Sequence, residues 1–284
     1  MPLSSTSPSL SVILPASNEA ALIGGCLDAV LASDWDDAAP LDCVVVANGC
    51  RDDTAAIARQ RTAAFAGRGW DLTVLDLEQG GKLNALNHGD ATARAGSRVY
   101  LDADVTIAPT LLTQLRRALD TDAPRYASGD CVIAPARSWF SRAYARIYRQ
   151  VPFMTHGVPG CGVFAVNAAG RARWGAFPDI ISDDTFVRLS FRPDERVKVP
   201  ARYDWPIVEG LKNLIRVRRR QDKGVREIEA RFPELLDNDD KPAFPTSHKL
   251  AMALRDPLGF AVYAGVALAV KLGGDRSAEW SRGR

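Results

Sequence analysis

Apolar positions along the chain follow two alternating rhythms. Unbroken, largely β-branched apolar runs occur at "LSVILPA" (10–16), "LDCVVVAN" (41–48), "DLTVLDLE" (71–78) and "SRVYLDADV" (97–105). Each is followed by a stretch in which apolar residues recur every three or four positions. In the first such stretch these are Ala21, Leu22, Cys26, Leu27 and Val30. Runs that are apolar on both faces suit strands covered from both sides, and the 3.6 period suits the helices that cover them. The pattern predicts β-α repeated four times. Ser17 or Asn18 is placed to cap the first helix, and Asp52 or Asp53 to cap the second, which should run on to Gly67.

Beyond residue 124 the rhythm changes. "RYASGDCVIAP" reads as a strand and "SWFSRAYARIYRQVP" as an amphipathic helix. "GVPGCGVFAVNAAG" is glycine-rich and then apolar. "FPDIISDDTFVRLSF" puts Asp183 and Asp184 at a helix start, "RVKVPARYDW" reads as a strand, and "GLKNLIRVRRRQDKGVREIEARF" as a long basic helix. The fold class is α/β, with a mostly parallel central sheet flanked by helices and a helical C-terminal region.

Composition changes this picture little. The 284 residues are enough for one large domain or two small ones, and a net charge of +2 gives no general attraction to nucleic acid. Five cysteines without a C-x-x-C pair read as reduced core residues of a cytosolic chain. The opening "MPLSSTSPSL" lacks the basic and apolar regions of a signal peptide and reads as a flexible tail. The run at 257–272 is shorter than the ~20 apolar residues of a spanning helix. It fits a packed helix or one lying on a membrane surface.

The chemistry concentrates where strands end. In open α/β sheets ligands bind beyond the carboxyl ends of the strands. Those ends carry Pro15 to Glu19, Asn48 to Asp53, Gly80 to Lys82, and Asp102 with Asp104. Two carboxylates at i and i+2 are either solvated at a strand end or shared by a divalent cation, Mn²⁺ or Mg²⁺. Lys82, after two glycines at a helix start, suits an anion such as phosphate. Asp183 and Asp184 either cap a helix or supply a general base. Arg216 to Lys223 form a run of nearly one sign, suited to a diphosphate or an acidic membrane surface. Nucleic acid fits less well, because no aromatic stacking set is interleaved.

Taken in order, these segments resemble family 2 glycosyltransferases of the GT-A fold. "SVILPASNEAALIGGCLDAV" resembles that family's first strand and P-x-x-N-E turn, and "VVVANGCRDDTAAIA" its D-x-G-x-x-D-x-T loop. "GGKLNALNHG" resembles its G-K-x-x-A-L-N segment, "LDADV" its metal motif, "PGCGVFAVN" its acceptor-side glycine segment and "SDDTFVRL" its E-D motif. The resemblance covers about residues 10 to 224 and implies transfer of a sugar from a nucleotide-sugar donor, usually with inversion. It places Pro15, Asn18, Glu19 and Asn48 beside the nucleotide, with Asp53 closing the second loop and Lys82 near the phosphates. It gives Asp102 to the ribose or the ion, Asp104 to the ion, and the base role to Asp184, with Asp183 where the family usually has Glu. Residues 1–9 are then a tail, 10–124 the nucleotide-sugar-binding half, 125–224 the acceptor-binding and catalytic half, and 225–284 the C-terminal region.

Two departures stand out. Ala47 occupies the place of an acid that usually reads the base. Aligned on Gly224, the processive Q-x-x-R-W pattern falls on Val217, Arg220 and Gln221, so only the arginine is kept. A single-addition transferase is expected, with a carbohydrate or lipid-linked acceptor. The expected location is the cytoplasm, with peripheral attachment at the inner face of the membrane. A sugar-1-phosphate nucleotidyltransferase is the first alternative, but it would need a G-x-G-T-R segment where "PASNEAA" stands. A non-catalytic nucleotide-sugar-binding protein on the same fold is the second.

Overall fold

The structure, a computed structural model, describes residues 7–273. Most of the expected tail and the last eleven residues of the chain lie outside the described residues. The four expected β-α units are present: β1 (Leu10–Ala16), α1 (Ile23–Leu31), β2 (Leu41–Asn48), α2 (Thr54–Arg59), α3 (Thr62–Gly67), β3 (Asp71–Leu77), α4 (Lys82–Thr92), β4 (Arg98–Leu101), β5 (Thr106–Ile107) and α5 (Leu111–Ala118). There follow β6 (Tyr126–Ile133), α6 (Trp139–Tyr148), α7 (Pro152–Thr155), β7 (Val163–Val166), α8 (Ala168–Arg171), α9 (Asp183–Leu189), β8 (Arg196–Trp205), α10 (Leu211–Arg231), α11 (Thr246–Arg255) and α12 (Pro257–Leu272).

The strands form one sheet of order β3-β2-β1-β4-β7-β6-β8-β5. β3, β2, β1 and β4 run parallel, with Ile13 opposite Val44 on one side and Tyr100 on the other. From β7 on, the pairings β4–β7, β7–β6 and β5–β8 are antiparallel. All eight residues of β2 are buried, as a strand covered on both faces requires. One face of β1, through Leu10, Val12 and Leu14, packs in a core with Ile23, Leu27 and Val30 of α1. On the other face α4 lies so close that a side chain at Gly89 would meet the Cγ2 of Ile13 at 2.4 Å. Glycine there sets the distance between helix and sheet.

Two expected elements break for identifiable reasons. The helix expected from Asp52 to Gly67 splits at Arg61. Its N–H bonds back to Ala58 at 3.0 Å, and its guanidinium lies against Gly24 and pairs with Asp28 of α1 at 3.2 Å. The strand expected through Val105 ends at Leu101. The Val105 N–H turns back to the Asp102 carbonyl at 3.1 Å before β5 resumes, with Thr106 opposite Asp204. The first helix also starts late, at Ile23, and neither Ser17 nor Asn18 caps it.

The chain divides into two compact units. One runs through Val132 and takes in Gly160–Asp179 and Ser190–Trp205, so it holds the sheet almost entirely. The other takes Ile133–Pro159, Ile180–Leu189 and the chain from Pro206 on. In the second unit α12 packs on α6 and α10, and Arg146 of α6 pairs with Asp256 at the start of α12 at 2.6 Å.

A buried charge cluster fixes α4 and α8 to the sheet of the first unit. Asp90, 8% exposed, accepts from the Tyr100 hydroxyl at 2.8 Å and from Arg171 Nη2 at 2.8 Å, and pairs with Arg98 at 3.2 Å. Removing one partner of such a cluster strands the other charges. Asp90→Ala should destabilise the protein by about 3–5 kcal/mol, read as a lowered urea midpoint. A loss below about 1 kcal/mol, the scale of an exposed pair, would show that the cluster is not a structural anchor.

Candidate active site

The carboxyl ends of β1 and β2 are joined by side-chain-to-backbone bonds. Past β1 the chain turns sharply at Asn18, whose φ of 50° makes it the one non-glycine residue in the left-handed region among those described. Asparagine tolerates that conformation better than most residues. Its Oδ1 accepts from the Arg51 N–H at 2.6 Å, and its own N–H donates to Cys50 Sγ at 3.4 Å. The Glu19 N–H donates to Thr54 Oγ1 at 2.7 Å, and the Ala20 N–H to Asp52 Oδ2 at 3.1 Å. Asp52 also accepts from the Thr54 N–H at 3.1 Å, so its carboxylate ties this loop to the turn after β1. Asp53, expected to close the second loop, stands exposed at the start of α2.

Asn48 joins three elements. The last residue of β2, it is 1% exposed. Its Nδ2 donates to the Ala16 carbonyl at the end of β1 at 2.9 Å, and its Oδ1 accepts from the Gly81 N–H at 2.9 Å. Both ends of the amide are engaged by backbone. Next to it, Gly49 (φ +56°) donates its N–H to the Leu77 carbonyl at 2.8 Å. A side chain on Gly49 would meet Gly80 Cα at 2.8 Å. Close approach of two backbones requires glycine there. The loop after β3 is thus pinned to the end of β2, and Lys82 becomes the first residue of α4.

Lys82 Nζ reaches Asp102 Oδ1 at 3.0 Å. Asp102 follows β4, its N–H held by the Gly162 carbonyl at 2.9 Å. Cys26 of α1 lies beneath the turn and donates its S–H to the Asp102 carbonyl at 3.8 Å. Burial pushes the Cys26 thiol far above its usual range, and the charges of Asp104 and then Asp102 push it further. One buried thiol thus feels both carboxylates. Asp102 and Asp104 are both half-buried. Pro15, Asn18 and Glu19, also half-buried, lie at the same end of the parallel strands.

The second unit holds the other acidic pair. Asp183, 3% exposed, and Asp184, half-buried, open α9. Asp184 Oδ1 accepts from the Thr185 N–H at 2.7 Å. The segment before them is fixed by α10. The Ile181 N–H donates to Glu227 at 2.8 Å, and a side chain at Gly224 would strike Ser182 Oγ at 2.1 Å. Arg220, one turn before Gly224, is half-buried on the same helix. Glu227 carried no signal in the sequence beyond its place in a basic helix, and Gly224 served there only to align the Q-x-x-R-W pattern, although both fix the segment that leads into the α9 acids. The sequence-identified residues thus gather in two groups: Pro15, Asn18, Glu19, Asn48, Asp53, Lys82, Asp102 and Asp104 in the first unit, and Asp183, Asp184 and Arg220 in the second.

A parallel half-sheet, a D-x-D turn beyond its fourth strand and a lysine-bearing helix start facing that turn define a GT-A fold. The chain belongs to glycosyl transferase family 2, whose sequence pattern matches residues 11–164, more than half of its length. It is similar to the glycosyltransferase AglE of Haloferax volcanii, 36% identical over 103 residues; the match spans 36% of this chain and 32% of AglE. Among solved structures it is similar to the mannosyltransferase PcManGT of Pyrobaculum calidifontis in complex with GDP-Man and Mn²⁺. The TM-score is 0.59 at 22% identity, covering 96% of this chain and 79% of that one. It is also similar to residues 1–349 of TarS from S. aureus with UDP, at a TM-score of 0.54 and 13% identity over 97% and 95% of the two chains. A third similarity is to glucosyl-3-phosphoglycerate synthase of Mycobacterium tuberculosis with Mn²⁺, UDP-Glc and glycerol 3-phosphate. There the TM-score is 0.53 at 20% identity, covering 79% and 80%.

Proposed function

We propose that the protein moves one sugar from a nucleoside-diphosphate-sugar to an acceptor hydroxyl, with inversion at the anomeric carbon. The observation that carries this reading is the Lys82–Asp102 contact at the start of α4, two residues from Asp104. The nucleotide and nucleotide-sugar ligands of PcManGT, TarS and glucosyl-3-phosphoglycerate synthase support the donor class. Ala47 stands where family members commonly carry the base-reading acid, so base recognition departs from the common pattern at this position.

The residues fit a divalent cation. Asp102 and Asp104 offer half-buried carboxylate oxygens, and no cluster of three or more His, Cys, Asp or Glu occurs among the described residues. Two carboxylates plus diphosphate and water suit Mn²⁺ or Mg²⁺. When bound, the cation offsets the charge that develops on the departing diphosphate. Lys82 and Asp102 are both partly exposed, so their pairing is worth no more than about 1 kcal/mol and yields to a ligand. Lys82 then turns to a phosphate oxygen, where the N–H groups of the first turn of α4 add to its charge.

Asp184 takes the proton of the acceptor hydroxyl, whose oxygen attacks the anomeric carbon on the face opposite the diphosphate. The carbon–oxygen bond to the diphosphate breaks as the new glycosidic bond forms. Asp183, buried beside it, supports the placement of Asp184, and Arg220 adds positive charge toward the diphosphate. Asn48 acts through position, because its amide is engaged within the protein.

Peripheral attachment to an anionic membrane surface is part of the same proposal. No helix among the described residues is long and apolar enough to cross a membrane. The well-exposed large hydrophobic side chains among the described residues all fall in the second unit, among them Leu272 (77%), Leu254 (75%) and Trp139 (47%). Exposed Lys271, Arg255 and Arg137 neighbour them in sequence. Apolar side chains with flanking basic residues suit an acidic lipid surface, and a lipid-linked acceptor would be met there.

Three outcomes are expected. Asp104→Ala should keep its fold and lose Mn²⁺-dependent binding of nucleoside diphosphate, measured by calorimetric titration; unchanged affinity would remove the metal assignment. Asp184→Asn should bind donor as the parent does and transfer at least about 10²-fold more slowly. If Asp183→Asn is the crippling change and Asp184→Asn is mild, the base is Asp183. The full chain should sediment with anionic but not neutral liposomes at low salt, and a chain ending near residue 245 should not. No sedimentation of the full chain would leave a soluble acceptor.

A further inference from the structure

We propose that Cys131 and Cys161 form a thiol–disulfide exchange site whose oxidation displaces the D-x-D turn. The two sulfurs, one on β6 and one in the segment just before β7, lie 3.5 Å apart. The β6–β7 register pairs Tyr126 with Val166 and Ala127 with Ala165, and the same register carried forward sets Cys131 opposite Cys161. A disulfide needs about 2.0 Å between sulfurs, so the pair must close by about 1.5 Å, and the backbone that carries the sulfurs must follow. Neither thiol has a part in the mechanism above.

The chain around Cys161 transmits that closure. Gly160 (φ +66°) and Gly162 (φ +76°) flank it, both in the left-handed region. A side chain at Gly162 would meet Val105 and Trp205 at 2.8 Å, so this backbone is seated directly on the residue after Asp104. The Cys161 carbonyl accepts from the Tyr203 hydroxyl at 2.9 Å, and the Gly162 carbonyl accepts from the Asp102 N–H at 2.9 Å. Cys161 is thus one residue from the bond that orients Asp102. Drawing its sulfur toward Cys131 pulls on a backbone held at both ends, and the Asp102 amide is one of those ends.

The two thiols differ as an exchange pair requires. Cys131 is half-buried, while Cys161 is 3% exposed. The hydrogen bond from Cys161 holds the Cys131 thiol below its ordinary range, which favours the attacking thiolate. A low-molecular-weight disulfide such as oxidised glutathione is the oxidant. Cys131 thiolate attacks one of its sulfurs, the disulfide breaks, and one glutathione leaves and takes up the proton Cys131 lost. Cys161, deprotonated, then attacks the Cys131 sulfur and expels the second glutathione, which takes up that proton. Two protein thiols become one disulfide, and one glutathione disulfide becomes two thiols.

The test uses the full chain, treated with excess oxidised glutathione and desalted. Mass spectrometry should show loss of two hydrogens, no retained glutathione on Cys131, and a linked peptide joining residues 131 and 161. Amide exchange over residues 102–105 should quicken on oxidation and recover with dithiothreitol. The affinity for nucleoside diphosphate with Mn²⁺ should fall about tenfold or more, the scale on which supporting contacts act on metal sites. C131S should be indifferent to the oxidant. A stable glutathione adduct without a cross-link overturns the proposal, as does a cross-link that leaves exchange at 102–105 unchanged. A loss of affinity that persists in C131S also overturns it, and would point to Cys50. The coupling to nucleotide rests on the function proposed above. If the reduced protein binds no nucleotide, that function fails, while the cross-link and the exchange at 102–105 still decide this proposal.

Discussion

The carboxamide of Asn48 is held between the carbonyl that ends β1 and the N–H that precedes α4. Strand ends in a parallel sheet have no partner of their own beyond the last ladder bond, and a buried polar group left unpaired costs about 1–3 kcal/mol. One buried side chain with a donor and an acceptor meets both needs and fixes where the loop after β3 begins. Gly49 and Gly80 then let the two loops touch. The consequence is directional. Once Gly81 is tied to Asn48, Lys82 must begin α4 at that point, and its ammonium reaches Asp102 across the end of β1. The D-x-D turn is in turn held by Gly162 from the antiparallel half of the sheet. The proposed phosphate and metal groups therefore stand on a frame whose parts come from β1, β2, α4, β4 and the segment before β7.

Much of this frame was legible before any coordinates. Continuous apolar runs marked the parallel strands, because a strand covered on both faces has little room for polar residues. The strand ends stood out because polar groups followed those runs immediately, as in "RVYLDADV". What stayed hidden depends on contacts far apart in sequence. The break at Arg61 comes from Asp28 and Gly24 on another helix. The end of β4 at Leu101 comes from a turn closed by its own carbonyl at Asp102. Asp52 and Asp53 are chemically identical neighbours, and only the positions of Ala20 and Thr54 show that Asp52 is the one that accepts from their N–H groups. The partners of Cys131 and of the Ile181 N–H before α9 lie 30 and 46 residues away, at distances where periodicity carries no information.

The second unit depends on a different device. Its long helix α10 has small and acidic residues where α9 needs them, Gly224 for close approach and Glu227 to accept the Ile181 N–H. The same helix read in sequence as a plain basic face. The exposed apolar side chains gather in this unit while the sheet-bearing unit shows none among its described residues. Large apolar side chains that stay in water are the surface feature most worth a physical account. In the proposed function this division puts the donor-binding groups on the α/β frame and the general base, with the exposed apolar side chains, on the helical unit.

The claim on which the account rests is that Asn48 delivers Lys82 to Asp102. Calorimetric titration of nucleoside diphosphate with Mn²⁺ into Asn48→Ala tests it most directly, with a cooperative thermal melt establishing that the variant is folded. The account predicts affinity lower by about tenfold or more, since each factor of ten is about 1.4 kcal/mol and two backbone groups lose their partner. A folded Asn48→Ala protein that binds as tightly as the parent would contradict it.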